Sequence, residues 1–199
     1  MKDKFYADKR DPVKWGGIVH LCHEKRVKTV LQVAYYRKDE WGKTISFNGK
    51  SIALPDAVIK HFRDIKDITR LGRRAKLRIL VFGVEFSKAK RAAYHKRVLN
   101  RIKSMNQRKV VLLDPDTGLA PEICEAEHVT EEEVWQIWES LSRKDKDILV
   151  FYQHNTHISG WEESNREKLS KWCRVEQKRV KMWSAKEIAG DVVFYFIER

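Results

Sequence analysis

Three polar stretches carry residue types that can do chemistry. The first is VVLLDPDTGLAPE, residues 110–122, where four apolar residues run into Asp114, Pro115, Asp116, Thr117 and Gly118. Proline has no N–H and fixes φ near −65°, so the chain turns sharply and Asp114 is held at the tip of the apolar run. A carboxylate there can face a cleft and orient a substrate group. Asp114 and Asp116 are therefore the candidate catalytic residues. The second stretch is QHNTHISGW, residues 153–161, in which Gln153, His154 and Asn155 form a polar cluster suited to substrate contacts. His154 and His157 are close in sequence but lack the helical spacing of a metal-binding pair, so no resident metal ligand is assigned. The third is FYADKRDPVKWGG, residues 5–17, which mixes aromatic, acidic and basic residues ahead of a helix and contains Asp8 and Lys14.

Elements able to position these stretches are legible in the apolar pattern. Pro12 opens a helix over 12–25. The β-branched run VKTVLQVAYY predicts a central strand over 27–36. Asn48-Gly49 between two short apolar runs predicts an inserted hairpin near 43–53. Pro55 opens a second helix, and TRLGRRAK reads as a basic connection. Strands follow at 78–84, 109–114 and 147–152. Between them lie a basic helix over 88–105 and a helix capped by Thr130, whose Thr-Glu-Glu-Glu sequence is a capping box. A helix over 161–173 and two antiparallel strands, 179–184 and 191–197, complete the chain. Apolar strands alternating with amphipathic helices predict one α/β domain over 1–199, with a mostly parallel sheet, helices on both faces and an antiparallel C-terminal strand pair. In such sheets ligands sit beyond the carboxyl ends of the strands. That is where Asp114–Gly118 and the residues after Tyr152 fall.

Composition narrows the partners. The 199 residues carry a net charge of +13. Residues 60–109 hold 17 Lys or Arg against 3 acids, and residues 110–150 hold 11 acids against 3 bases. A concentrated positive field attracts a polyanion, so RNA or DNA is the expected partner. Arg73, Arg74, Lys90, Arg91, Arg97 and Arg101 are the expected contacts, with Tyr94 and His95 able to stack on bases or pack inward. Among the tryptophans, Trp15, Trp41 and Trp161 fall near strand ends and could serve as base platforms. No apolar run approaches 18 residues, and the charged first residues have no signal core, so neither a membrane span nor a secretory segment is expected. Cys22, Cys124 and Cys173 are too few and too scattered for a disulfide framework, which fits a reducing cytoplasmic setting.

The order of the motifs resembles class I methyltransferases that use S-adenosylmethionine, a Rossmann-like group. It looks closest to those that methylate the exocyclic amine of adenine in large-subunit ribosomal RNA. The matching residues are Ala7-Asp8 followed by Lys14 in a helix with Leu21, then VVLLDPDTG in place of Asp-Pro-Pro-aromatic, then the strand DILVFYQH. The resemblance implies S-adenosylmethionine bound by Asp8, Lys14 and the segment at Tyr36, with Asp114 orienting the substrate amine. Two departures stand out. The glycine-rich turn after the first strand is here Arg37 to Trp41 and a single Gly42, and Asp116 and Thr117 replace the proline and the aromatic ring that stacks on an extruded base. Two other readings follow from the residues. Asp114, Asp116 and Glu85 offer hard oxygen ligands for Mg²⁺ and hence metal-dependent phosphodiester cleavage. Alternatively, the chain is a nucleic-acid-binding relative that has lost the chemistry.

Overall fold

The computed structural model describes residues 8–38, 44–47, 49–53, 55, 57–58, 64–121 and 123–199. Its centre is a six-stranded sheet built from β1 (Thr29–Val33), β4 (Arg78–Phe82), β5 (Lys109–Leu113), β8 (Ile148–His154), β9 (Lys181–Ala185) and β10 (Gly190–Glu198). Their spatial order is β4-β1-β5-β8-β10-β9. The first four are mutually parallel, while β10 is antiparallel to both β8 and β9. A mixed, mostly parallel α/β sheet with an antiparallel C-terminal pair is thus the architecture. The chain steps from β1 outward to β4, then returns to lay β5 on the other side of β1. That reversal of direction between β1 and β5 opens a crevice at the strand tips.

Residue alternation assigns the two faces. On β5, Val110 and Leu112 pack against α1 (Arg10–Glu24) through Trp15, Ile18 and Leu21. Val111 and Leu113 pack on the other side with Val98 of α3 (Arg91–Lys103), Ile137 of α4 (Glu131–Ser140) and Leu169 of α5 (Trp161–Trp172). Both faces of KVVLL are covered, which is why the strand reads as an unbroken apolar run. Each fully buried aliphatic side chain in these layers contributes about 1.5–3 kcal/mol.

Several local signals are realised. The hairpin is β2 (Thr44–Phe47) paired antiparallel with β3 (Lys50–Ala53), and Gly49 has φ +74°. Thr130 closes a complete capping box on α4 with Glu133. The stretch expected to be a basic connection is instead a short helix, α2 (Thr69–Arg74). Most of the helix expected after Pro55 lies outside the described residues, as does Trp41. A two-residue parallel pair, β6 (Gly118–Leu119) with β7 (His128–Val129), was not signalled by the sequence. Four helical segments stop in the same way, with two closing backbone bonds and a left-handed residue. At α1 the bonds run from Val27 N to Cys22 O and from Arg26 N to His23 O, and the same pattern recurs after α2, at 142–147 and after α5. The left-handed residues are Arg26, Lys76, Lys146 and Arg174, in a conformation that costs an L-residue about 1–2 kcal/mol. The last element, α6 (Lys186–Ala189), is a single turn between β9 and β10. Among the described residues no helix is long and apolar enough to cross a membrane.

Candidate active site

The alternation that buries β5 also builds the site. Continuing the α1-facing register past Val110 and Leu112 brings Asp114 onto the same side. On β1 the residue after Val30 in that register is Gln32, and on β8 those after Ile148 and Val150 are Tyr152 and His154. Apolar rows on three adjacent strands therefore end in polar side chains at one edge, and the first turns of α1 lie over them. Lys14 Nζ donates to Asp114 Oδ2 at 2.9 Å and to Asp11 Oδ1 at 2.6 Å. Gln32 Nε2 donates to the same Asp114 oxygen at 2.6 Å. Asp114 is 2% exposed and Lys14 4% exposed. Burial alone would push the Lys14 ammonium down, but Asp114 and Asp11 outweigh it and hold its pKa well above an ordinary lysine's.

Around this buried core lies a cleft of about 310 Å³ lined by residues of α1, the turn after β5, Arg37 and the end of β8. Arg37 closes one wall by pairing with Asp116 and, at 3.4 Å, with Glu127. Arg10 forms the other wall. It donates to Asp8 at 2.7 Å and to Asp191 at 3.1 Å, and His154 Nε2 stands 3.3 Å from Asp191. Burial would raise the Asp191 carboxyl, but the Arg10 hydrogen bonds outweigh that and lower it. The Tyr152 phenol is pushed well up by burial, reinforced by Asp114, so it stays protonated.

A second hollow, of about 450 Å³, adjoins the first and shares Thr117 and His154 with it. Its wall includes Gln153, Asn155, His128, Trp161 and Lys168. Gln153 is buried and serves as a brace: its Oε1 accepts from Leu119 N at 3.0 Å and its Nε2 donates to His154 O at 2.8 Å. Gly118 is fixed by this brace. Its φ is +133°, and a Cβ there would lie 2.3 Å from Gln153 Oε1. Asn155 Oδ1 accepts from His157 N at 2.6 Å and so shapes the loop after β8.

The expected site residues divide clearly. Asp8, Lys14, Asp114, Asp116 and His154 meet in the first cleft, and Gln153, His154 and Asn155 meet in the second. Tyr36 does not reach either. It packs with Ala34 and Ile65, and its carbonyl accepts from Phe86 N at 2.7 Å. Glu85 pairs with Lys38 at 3.8 Å away from the cleft. Among the described residues no three His, Cys, Asp or Glu side chains come together as a metal site. Trp15, Tyr94 and His95 are buried rather than presented to a base. Arg91 is also turned inward: it donates to Glu133 at 2.7 Å and to the carbonyls of His128 and Glu125.

The remaining expected cations are exposed, but not all at the cleft. Parallel strands and the helices preceding them run in opposite directions. Lys90 at the start of α3 is therefore at the cleft end, whereas Arg73, Arg74 and Arg101 lie where α2 and α3 hand the chain to the amino ends of β4 and β5. Arg97 lies between, beside the Phe82 ring at 6.0 Å. Residues that the sequence reading missed include Gln32, whose signal was a lone amide inside an apolar strand, and Arg10 with Asp11, which sit in the charged run beside Asp8. Arg37 and Asp191 carried no signal, because their partners are distant in sequence. Compared with family models, with curated proteins and with solved structures, the chain matches none.

Proposed function

We propose that the protein is a nucleic-acid-directed enzyme of the S-adenosylmethionine-dependent methyltransferase type. The observation that carries this reading is the position of Asp114. It stands at the tip of β5, beside the strand-order reversal, in a cleft that adjoins a second hollow. Two adjoining hollows suit a transfer between two ligands.

The residues present fit the cofactor in charge. The first cleft offers carboxylates (Asp8, Asp116, Glu127) and guanidiniums (Arg10, Arg37), which match an amino-acid zwitterion, ribose hydroxyls and a sulfonium. The turn after β1 lacks the glycines, yet Tyr35 holds φ +45°, a region where glycine is the default. Its ring packs against Phe86 and Tyr94 with centroids 5.4 Å away, on the face remote from α1. When bound, S-adenosylmethionine supplies an electrophilic methyl group. Asp8 and Arg10 would hold its amino-acid end, while Lys14 and Gln32 fix Asp114 toward the incoming amine. Trp161, part-buried in the second hollow, supplies an aromatic face where the turn itself has Thr117.

Titration calorimetry with S-adenosylmethionine tests the reading. Micromolar binding that Asp8→Asn weakens at least tenfold is expected. Absence of binding to a folded wild-type chain sinks it. One observation favours a second reading, a nucleic-acid-binding relative without methyl transfer: Asp114 and Asp116 each already have a cationic partner, Lys14 and Arg37. That reading predicts no heat with the cofactor and undiminished affinity for nucleic acid.

A further inference from the structure

The edge of the sheet opposite the cleft gathers 17 of the chain's 41 Lys and Arg residues. Each connection that rises from a helix into a parallel strand lies there, and each is basic. They read KRVK at 25–28, RRAK at 73–76, RIKSMNQRK at 101–109, RKDK at 143–146 and, leading into β9, RVEQKRVK at 174–181. Together these hold 17 Lys or Arg against two acids, and at their borders Glu24, Asp147 and Glu198 pair with Lys25, Lys109 and Arg108. All but Lys109 are at least part-exposed. The cleft lining is the reverse, with five acids against three bases. A polyanion is drawn to the far edge, and the cleft end does not compete for it.

Two further observations mark this edge as built for anions. First, Arg26, Lys76, Lys146 and Arg174 all stand at left-handed positions where glycine is the usual choice. A cation near a helix carboxyl end gains from the helix dipole, but Lys146 follows an isolated turn and has no such helix. Charge, rather than backbone ease, is what these four positions share. Second, the edge contains a cavity of about 390 Å³ lined by Trp135, Trp138, Arg143, Arg174, Arg179 and Arg199, with Glu139. Arg199 pairs with Glu139 at 2.7 Å, while Arg143, Arg174 and Arg179 have no carboxylate within ion-pair distance among the described residues. The guanidinium carbon of Arg174 stands over the Trp135 ring at 4.0 Å from its centroid and that of Arg199 over Trp138 at 4.6 Å. Trp138 Nε1 and Arg199 Nε are buried beneath this lining without an acceptor among the described residues, so the donors open to the cavity are those of Arg143, Arg174 and Arg179. Donors outnumber acceptors in this cavity, so its complement is a ligand made of acceptor oxygens.

We infer that this edge is a docking surface for nucleic acid, with a backbone phosphate seated in the arginine–tryptophan cavity. The inference rests on the nucleic-acid half of the function proposed above and gives that partner a place. Guanidinium forks match phosphate oxygens, and the Arg174–Trp135 pair offers a plane on which a base can extend. Six strands at about 4.8 Å spacing give an edge about 24 Å long, which spans about seven phosphates along one strand of a duplex and fewer along an extended single strand. None of these connections carries an exposed large apolar side chain, as insertion into a lipid surface requires. The cleft stays clear when the edge is occupied, so a different stretch of the same nucleic acid reaches it.

The test is fluorescence anisotropy with a labelled single-stranded oligonucleotide, read as affinity against salt, on the wild type and on the triple variant Arg143→Gln/Arg174→Asn/Arg179→Gln. Loss of three phosphate contacts lowers the slope of log K against log salt by about 2, which is about 100-fold in affinity at 0.1 M salt relative to 1 M. The single variant Arg143→Gln, at an exposed position, lowers the slope by about 0.7 and guards against a folding defect in the triple variant. The heat of S-adenosylmethionine binding stays at its wild-type value, and the melting temperature of Arg143→Gln is unchanged. An unchanged slope in both variants overturns the inference, as does wild-type binding to phosphatidylserine vesicles as tight as to the oligonucleotide, or no oligonucleotide binding at all. The methyltransferase reading fails in a different channel, as absent cofactor heat from a chain whose oligonucleotide binding is intact.

Discussion

Replacing Lys14 by Met tests the physical core of the site. The ammonium sits between Asp114 and Asp11, which are 2% and 8% exposed. Methionine matches the length of the side chain and removes the charge, leaving two carboxylates in a dry setting. Breaking a buried pair by deleting one partner costs about 3–5 kcal/mol, chiefly the desolvation of the charge left behind. Unfolding entropy of about 2.1 cal/mol/K per residue gives about 0.4 kcal/mol/K for this chain, so Tm falls by about 7–12 °C. The pH dependence has a defined sign. Lys14's pKa is raised in the folded state, so the stability it contributes is complete below the unfolded value of about 10.4 and is lost as pH climbs beyond it. The gap between wild type and variant is therefore constant through neutral pH and closes on the alkaline side. Circular dichroism melts at several pH values measure both effects. A drop under about 2 °C at pH 7, or a gap that widens above pH 10, refutes the claim that this ammonium holds the strand tip to α1.

Gly118→Ala is expected to cost about 1–3 kcal/mol, because the backbone is at φ +133° and the new Cβ meets Gln153 Oε1. Thermal melts of Gly118→Ala beside Gly118→Ala/Gln153→Ala separate the two causes, since only the collision is relieved in the double variant. Among the thiols, burial pushes Cys22 and Cys173 up to about 12, whereas Cys124, also raised by burial, is the one that is only half-buried. A thiol reagent at pH 8 should therefore titrate one cysteine in the native protein and all three after unfolding. Rapid native labelling of Cys22 or Cys173 contradicts the packing of α1 and α5 described here.

What was legible in the sequence was what depends on near neighbours. The strand pairing around Gly49, the Thr130 capping box and the apolar run into Asp114 are each decided within a few residues, and each stands in the structure. Helix α2 was hidden because Gly72 and the basic residues around it argue against a helix locally. The glycine is required by the turn that closes the helix: a Cβ at that position would lie 2.7 Å from the carbonyl oxygen of Leu77, and no residue pattern announces that turn. The site was half legible for a related reason. Asp114 announces itself by its turn, but Lys14 is 100 residues away and Asp191 is 181 residues from Arg10, and no local pattern joins them.

Charge shows most sharply how topology rearranges what a sequence window reports. Residues 60–109 are the basic window, yet they do not form one basic surface. Helix α3 runs antiparallel to the strands it connects, so its first turn reaches the cleft end and its last turn the opposite edge. Arg91, central to the window, is drawn inward by Glu133, a residue of the acidic window that follows. Meanwhile Arg143, Arg174 and Arg179, which lie outside the window altogether, join Arg73, Arg74 and Arg101 at the amino edge. A run of like charge in sequence thus fixes how much field a chain can raise, while the alternation of helix and strand fixes where. In an α/β fold every helix-to-strand connection returns to the same edge. Basic residues recurring at those returns therefore build one surface from segments that no window would group together.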